Sequence, residues 1–368
     1  AEFTFSLPDL KAYCGAELMG HTMHNLYTLR GAKVRDAMKW ARYLDESLAQ
    51  VEGAEVVFNQ HHWPVWGGER IRDFIEKQRD TYQFIHDQTV RKMNAGMNAA
   101  EIAEALTLPR ALHDHLSVRG YYGTVRHNVK AVYQHYLGWF DAHPANLDPH
   151  PPVELGRRYV EALGGPDAIV ATARVAYEAG DYRWASELLK HVVHADADHA
   201  AARELLALCF EQLGYASEAS TWRNFYLTGA LELRAGGPAT GMDRAAMIDL
   251  LQYTPTERFL EAMAASLDAE SADDLELTIN LVLSDENERF VLHLENGVLH
   301  HHRTDPDPAA NATLTLTKAF FLRMVTGQAG AADLLTSEDV DIEGSALDLG
   351  RFLGLIDKPS GTFPIVTR

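Results

Sequence analysis

The segment AEVVFNQHHWPVWGGERIRDFI, residues 54–75, contains the pattern that decides the fold of the first part of the chain. The apolar run Val56 to Phe58 predicts a short buried strand, and the polar run NQHH follows it directly. A segment with helical periodicity then begins at Gly68. A strand, a polar loop and a helix in this order are typical of α/β folds, in which functional loops cluster at strand ends.

The residues before this segment repeat the pattern. AEFTFSL, residues 1–7, alternates apolar and polar residues as a half-buried strand does. LPDLKAYCGAEL, residues 7–18, is predicted as a helix with Pro8 and Asp9 near its start. KVRDAMKWARYLDESLAQ, residues 33–50, has the three- and four-residue apolar spacing of an amphipathic helix. We therefore predict an α/β region over residues 1–90.

The middle of the chain is predicted to be helical. A Pro-rich connector at residues 141–156 follows helices and loops, and residues 157–235 contain almost continuous helix. Gly180 and Gly214 lie 34 residues apart, as equivalent turns of a tetratricopeptide-like repeat would. About one and a half such repeats cannot bury their apolar face alone, so this part should pack on the rest of the protein or on another subunit.

The last part of the chain changes character after a Gly-rich linker at residues 234–241. Three alternating segments joined by the turns SDENE and ENG predict a β-meander, and further strands and helices follow. This pattern predicts a small α+β domain with a one-sided sheet over residues 243–368.

Composition limits the kinds of partner. The 368 residues include 33 Lys and Arg against 52 Asp and Glu, a formal net charge of −19. Such a field repels phosphate backbones and argues against nucleic acid as a partner. An anionic substrate would need a locally positive pocket. The sequence contains no apolar run long enough to predict a membrane span. Cys14 and Cys209 lie in apolar runs and are predicted to be buried free thiols.

Glu17, His61 and His62 form the first candidate site. A carboxylate on one element and imidazoles in a polar loop of another are suitable Zn²⁺ ligands. The alternative is a Glu on a helix surface and a His that caps a helix. The spacing of these residues leaves both interpretations open.

The stretch HTMHNLYTLRGAKVRD, residues 21–36, forms the second candidate site. Arg30 offers a bidentate fork to a sulfate, phosphate or carboxylate, and Asn25 offers a neutral amide donor. The alternative is that Arg30 pairs with an acidic neighbour. His127, in YYGTVRHN, is either a further anion or proton donor or a polar residue at a helix N-terminus. The run HHH at residues 300–302 is predicted to lie on an exposed strand face.

Several long segments resemble a known family. HTMHNLYTLRGAKVRDAMKWARYLDE, HHWPVWG and RGYYGTVRHNVKAVYQHYLGWFDAHPANL resemble bacterial alkyl sulfatases that degrade dodecyl sulfate, and the resemblance covers essentially the whole chain. It implies a multidomain protein: the rear half of an αββα metallo-β-lactamase-type domain over residues 1–90, an all-α, tetratricopeptide-like dimerisation domain over residues 91–235, and an α+β domain like sterol carrier protein 2 over residues 243–368.

The resemblance also implies roles for individual residues. Glu17 and His62 are expected to be ligands in a centre of two zinc ions. Asn25 and Arg30 are expected to hold the sulfate group of an alkyl sulfate. His127 is expected to be a further sulfate contact and a candidate proton donor to the leaving group.

One family motif is missing from this sequence. The zinc-binding pattern His-x-His-x-Asp-His does not occur, and a further Glu ligand of the family would precede Ala1. We therefore expect the chain to carry only the rear half of the catalytic domain, with the N-terminal half lost or supplied as a separate chain. Alone it should bind zinc poorly and be inactive. The expected partners are an alkyl sulfate, that N-terminal half, and a second copy bound through the helical domain.

Two other functions compete with this interpretation. The chain could be a non-catalytic module that binds amphiphiles through its C-terminal domain. It could also be a different ester hydrolase of the metallo-β-lactamase fold, such as a phosphodiesterase.

Overall fold

The computed structural model describes residues 3–241, 245–358 and 361–367. The chain forms two compact units, one of residues 1–237 with 364–368 and the other of residues 238–363.

The change of unit falls inside the predicted linker at residues 234–241. Position 243, where the C-terminal domain was predicted to start, lies outside the described residues, as do the first two residues of the predicted first strand.

The first unit contains a small sheet of four strands. In chain order these are β1 (Phe5–Leu7), β2 (Ala12–Cys14), β3 (Val56–Phe58) and β4 (Val65–Trp66), and they are neighbours in that order. β2 and β3 are parallel, whereas the outer pairs are antiparallel. The loops that follow β2 and β3 therefore leave the sheet at the same edge.

The predicted helix over residues 7–18 is wrong. A single 3₁₀ turn, Pro8–Leu10, is followed by Lys11 in the left-handed conformation (φ 47°), and the chain then enters β2. All three residues of β2 are buried, Tyr13 almost completely. A short strand buried on both faces shows no polar–apolar alternation, so its sequence cannot be distinguished from a buried helix segment.

Ten helices are described in the first unit, within the residues that the structure covers. They are α1 (Ala37–Gln50), α2 (Gly68–Met93), α3 (Ala99–Ala105), α4 (Arg110–His113), α5 (Val125–Leu137), α6 (Pro152–Ala162), α7 (Pro166–Glu178), α8 (Tyr182–Ala195), α9 (Ala200–Ala216) and α10 (Ser220–Ala235). The predictions of α1 and α2 are confirmed.

The first unit contains two separate hydrophobic cores. One runs from Tyr13 to Tyr133 and joins the sheet to α1, α2, α3 and α5. The other runs from Ile169 to Leu233 and lies among α7 to α10. The helices just after residue 90 thus pack with the residues before it, because their apolar faces complete the first core.

The predicted equivalence of Gly180 and Gly214 is wrong. Gly180 lies in the turn between α7 and α8 with a positive φ of 80°. Gly214, in contrast, is a buried residue of α9, where an added Cβ would lie 2.9 Å from Cδ2 of Leu227. Its role is to let α10 approach closely.

The second unit contains a five-stranded sheet in the order β7-β6-β5-β8-β9. The strands are β5 (Leu277–Leu283), β6 (Glu288–Glu295), β7 (Val298–Arg303), β8 (Ala312–Leu316) and β9 (Val340–Gly344), and the helices are α11 (Ile248–Leu251), α12 (Thr256–Ala264), α13 (Lys318–Val325), α14 (Ala331–Thr336) and α15 (Ala346–Gly354). The predicted β-meander is confirmed as β5, β6 and β7, and further strands and helices follow it. The likeness to sterol carrier protein 2 stays a prediction.

Other sequence predictions are confirmed in the described residues. His300 and His302 are exposed on β7, and Cys14 and Cys209 are buried free thiols. None of the helices in the described ranges combines the length and the apolar character that crossing a membrane requires.

The last residues of the chain return to α10 and are held there by Glu232. The Glu232 side chain is only 4% exposed. One carboxylate oxygen accepts from the backbone N–H of Ile365 (2.6 Å), and the other accepts from those of Val366 (2.8 Å) and Thr367 (2.9 Å). Burial acts to raise the pKa of Glu232, but these donors outweigh it and hold the pKa below its ordinary value.

Glu232→Gln should destabilise the first unit by on the order of 2 kcal/mol at neutral pH, because it removes charge-assisted hydrogen bonds and places an amide donor against backbone donors. Since the folded-state pKa is lowered, the contribution of Glu232 is complete above the ordinary pKa of 4.5 and is lost as the pH falls through the lower folded-state value. Denaturant unfolding at several pH values measures this difference. The control is Glu178→Gln, at an exposed position of α7, and equal effects of both substitutions would refute the interpretation.

Candidate functional site

The two loops that carry the predicted ligands meet at one edge of the first sheet. Residues 15–36 follow β2 and residues 59–64 follow β3, the parallel pair. The N–H of Gly15 donates to the carbonyl of Phe58 (2.8 Å), and the N–H of Gln60 donates to that of Ala16 (3.4 Å). Residues that are far apart in sequence therefore face one another.

Glu17 contacts two histidines in this region. One carboxylate oxygen lies 2.5 Å from Nε2 of His61, and the other lies 3.9 Å from Nε2 of His24. The hydrogen bond with His61 holds the pKa of Glu17 below its ordinary value, although partial burial works in the opposite direction. Glu17 is therefore a carboxylate at neutral pH.

His62 lies beside this pair. The ring Nδ1 of His62 accepts from the backbone N–H of His21 (3.4 Å), and the backbone N–H of His62 donates to Oδ1 of Asn59 (2.9 Å). Burial, and then the neighbouring His61, lower the pKa of His62. A neutral imidazole is the form that binds metal ions.

The donors in this chain do not by themselves fit a zinc centre. The carboxylate of Glu17 and the imidazole of His62 are of the right chemical types. In the part of the chain that the structure describes, however, no three His, Cys, Asp or Glu residues are grouped so that they could hold a metal ion. Two donors leave a four-coordinate site incomplete, so zinc binding by Glu17 and His62 stays a prediction.

Arg30 lines a cavity together with the candidate metal ligands. This cavity has a volume of about 420 Å³, and its walls include Glu17, His61, His62 and Arg30. The guanidinium of Arg30 is exposed, and among residues 3–241, 245–358 and 361–367 no carboxylate lies within ion-pair distance of it. The alternative in which Arg30 pairs with an acidic neighbour is therefore not observed.

Asn25 is fully buried. Its Oδ1 accepts from Nη1 of Arg35 (3.3 Å), whereas its Nδ2 is a buried donor with no hydrogen-bond partner among the described residues. Asn25 does not line the cavity, although it lies in the same loop as Arg30. A buried donor without a partner is costly.

The loop of residues 24–28 is held from two sides. Asn128, a buried residue of α5, donates from Nδ2 to the carbonyl of His24 (3.0 Å) and accepts from the N–H of Leu26 at Oδ1 (2.9 Å). Arg35 donates from Nη1 to Oγ1 of Thr28 (3.0 Å). The motif RHN in the first turn of α5 thus includes a residue that fixes the backbone of the candidate site.

The structure does not bring His127 to this cavity. Its Nε2–H donates to the carbonyl of Tyr27 (2.7 Å), and its Nδ1 accepts from the indole N–H of Trp222 (3.0 Å). An indole only donates, so this network requires the neutral ring with the proton on Nε2. Burial also lowers the pKa of His127. Its role as a sulfate contact and proton donor stays a prediction.

Several residues of the site were missed in the sequence. Gln78 and Tyr82 of α2 accept hydrogen bonds from the backbone N–H groups of Gly20 (3.0 Å) and His24 (2.9 Å). Tyr121 and Tyr122 also line the cavity. A signal for Gln78 was present, because it is a long polar side chain in a buried stripe of α2 that is otherwise apolar or carries only the small polar residues Thr81 and Thr89 and the aromatic Tyr82.

Gly123→Ala should disrupt this site. The N–H of Gly123 donates to the carbonyl of Met23 (2.8 Å), and an added Cβ would lie 2.4 Å from the carbonyl oxygen of His24. We expect a loss of roughly 1–3 kcal/mol in the free energy of unfolding, as for other overpacked positions. Gly68→Ala is the control, since nothing lies within 4 Å of its added Cβ. Equal stability of the two variants in denaturant unfolding would show that the loop adapts without cost.

The chain on its own should bind zinc weakly. Because Glu17 and His62 supply only two donors, we expect less than one equivalent of zinc to survive gel filtration. Elemental analysis of the purified chain measures this content. Retention of two equivalents, and their loss in a Glu17→Ala variant, would show that the chain holds a complete centre.

Comparison with known proteins identifies the family. Two family models match the chain, one described as alkyl sulfatase dimerisation over residues 98–236 and one as alkyl sulfatase C-terminal over residues 244–368. A linear primary-alkylsulfatase from a Pseudomonas strain is 37% identical over 377 residues, covering all of this chain and 71% of that protein. The chain belongs to the alkylsulfatase family. The resemblance noted in the sequence is confirmed.

Other relatives extend further than this chain. An alkyl/aryl-sulfatase from Saccharomyces cerevisiae is 43% identical, covering all of this chain and 56% of that protein. The solved structure of the stereoselective inverting sec-alkylsulfatase Pisa1 from Pseudomonas sp. matches with a TM-score of 0.93 and 40% identity, covering 99% of this chain and 58% of that one. The chain thus spans just over half the length of these two relatives.

Proposed function

We propose that the full-length protein hydrolyses alkyl sulfate esters to an alcohol and inorganic sulfate, and that this chain supplies one wall of the active site. The observation that carries the proposal is the cavity of about 420 Å³ in which Glu17, His62 and Arg30 meet. The names of the relatives support the same reaction class, because each is called an alkylsulfatase or an alkyl/aryl-sulfatase.

In this proposal Arg30 binds the sulfate group of the substrate. A planar guanidinium can donate two parallel hydrogen bonds to two sulfate oxygens and can offset the charge that grows on the departing sulfate. The formal net charge of −19 would otherwise repel an anionic ester. The exposed position of Arg30, without a carboxylate partner in the described ranges, supports this role. Asn25 Nδ2 is proposed as a further sulfate donor.

The metal centre of the full-length protein is also part of the proposal. Glu17 and His62 would be two of the zinc ligands, and the remaining ligands would come from residues outside this chain, in a metallo-β-lactamase-type domain. His127 would hold the carbonyl of Tyr27, and so the loop that leads to Arg30. Residues 98–236 would form a homodimer, in agreement with the description of the family model that matches them.

A separate observation supports amphiphile binding by the second unit. It contains a cavity of about 720 Å³ whose walls are largely apolar. The apolar side chains include Phe259, Met263, Phe321, Met324, Leu349 and Leu353. We propose that this cavity binds the alkyl part of an amphiphile, either together with hydrolysis or, in the competing interpretation, without any chemistry.

Arg30→Ala in the full-length protein should lower kcat/KM for dodecyl sulfate by about 100- to 1000-fold, as loss of one charge-stabilising donor does elsewhere. Arg30→Lys should recover only part of the rate, because an ammonium lacks the planar fork. Release of inorganic sulfate measures the rate. Arg258→Ala is the matched control, since Arg258 is an exposed residue of α12 with a surface ion pair to Glu261.

The same variants separate the competing functions. If Arg30→Ala keeps the rate of the native protein, the role of Arg30 is refuted. If neither the native protein nor any variant releases sulfate, but the native protein binds dodecanol, the amphiphile-binding interpretation is correct. Faster hydrolysis of phosphate esters than of sulfate esters would identify a phosphodiesterase instead.

A further inference from the structure

A second cavity of the first unit is lined by residues that neighbour Arg30 in the loop after β2. Its volume is about 940 Å³, and it shares no lining residue with the cavity of Glu17 and Arg30. Tyr27 and Leu29 line this second cavity, whereas Arg30 lines the first. Its other walls come from α5, α8, α9 and α10. A ligand in the second cavity would therefore be separate from a substrate in the first.

Three cationic side chains line this second cavity. They are Arg126 and Lys130 of α5 and Arg183 of α8. Both arginines bind the same carboxylate, with Nη1 of Arg126 at 3.0 Å and Nη1 of Arg183 at 2.7 Å from Glu104. Glu218 also lines the cavity, but it pairs with Arg119. Glu104 and Glu218 together do not offset the three cations, so the cavity keeps an excess of positive charge in a strongly acidic chain.

Lys130 is the cation without a counter-ion. No carboxylate lies within ion-pair distance of its ammonium in the part of the chain that the structure describes, and Nζ lies 5.3 Å from the ring centroid of Trp222. Loss of hydration in the cavity, and then the charges of Arg126 and Arg183, lower the pKa of Lys130. Nε of Arg126 is likewise a buried donor that has no partner among the described residues. Both groups are suited to receive an anion.

An apolar wall lies beside these cations. Trp222 of α10 is fixed by the hydrogen bond from its indole N–H to His127, and Phe225, one turn further along, is 45% exposed. Leu213 and Ala216 of α9 complete the wall. An inorganic anion would leave this wall in contact with water, whereas an anion with an aromatic or alkyl body would cover it.

We infer that this cavity is a binding site for a small organic anion, with a sulfonate, sulfate or carboxylate head at Lys130 and an aromatic or alkyl body against Trp222 and Phe225. The groups proposed to contact this anion, Lys130, Trp222 and Phe225, have no role in the proposed hydrolysis, although Tyr27 and His127 also line the cavity. The site would remain if the proposed function were refuted.

The test measures the reactivity of Lys130 in the full-length protein. Reductive methylation followed by peptide mass spectrometry gives the modification rate of each lysine, with 1-naphthalenesulfonate as the probe. We expect the probe to slow modification of Lys130 at least threefold and to leave Lys39, an exposed residue of α1, unaffected. Uncharged 1-naphthalenemethanol should give no protection, and inorganic sulfate should protect only at a much higher concentration.

Two variants make the test specific. Phe225→Ala should raise the concentration of probe needed for half-protection by about fivefold, since it removes one aromatic contact. Arg30→Ala should leave that concentration unchanged, because Arg30 lines the other cavity. Unchanged reactivity of Lys130 at saturating probe would overturn the inference, as would equal protection by inorganic sulfate. The inference would also be overturned if Lys130 were methylated only after dilution of the protein. That result would mean that a second copy of the chain covers the cavity.

Discussion

The paired hydrogen bonds of Asn128 are the interaction on which the candidate site depends. Its amide is fully buried and binds the backbone on both sides of Asn25, at the carbonyl of His24 and the N–H of Leu26. No other side-chain type of this shape offers a donor and an acceptor at once, so the geometry is specific to an amide. Without these bonds two buried backbone groups would lose their partners, at a cost comparable to that of a core cavity.

The sequence was most informative where elements are long and periodic. α1, α2 and the strands after residue 275 were predicted because their apolar spacing extends over several turns or pleats. β2 and Gly214 were misread, because a three-residue buried strand has no period and a buried glycine within a helix resembles a turn signal. The meeting of Glu17 with the loop of His61 and His62 followed from a tertiary fact, the parallel pairing of β2 with β3, which neither segment shows alone. His127 fell outside the cavity for a similar reason, since its ring partners come from residues 27 and 222.

Two regions of the first unit are locally positive, although the chain as a whole is acidic. The protein carries a formal net charge of −19, yet in the described ranges neither Arg30 nor Lys130 has a carboxylate partner. Arg126 and Arg183, beside Lys130, share Glu104. Both regions lie in cavities, and the loop after β2 contributes lining residues to each of them. In a negative field, such local excesses select where an anion can settle, because only there does attraction exceed the general repulsion.

The carboxylate of Glu232 binds the backbone of residues 365–367 to the helix after which the chain leaves the first unit. The chain departs at the end of α10 and comes back to a residue only one helical turn earlier. The chain is thus connected to the first unit both before residue 238 and after residue 363. A protease that nicks the outgoing connection would leave both fragments associated, and the break would be seen only after denaturation.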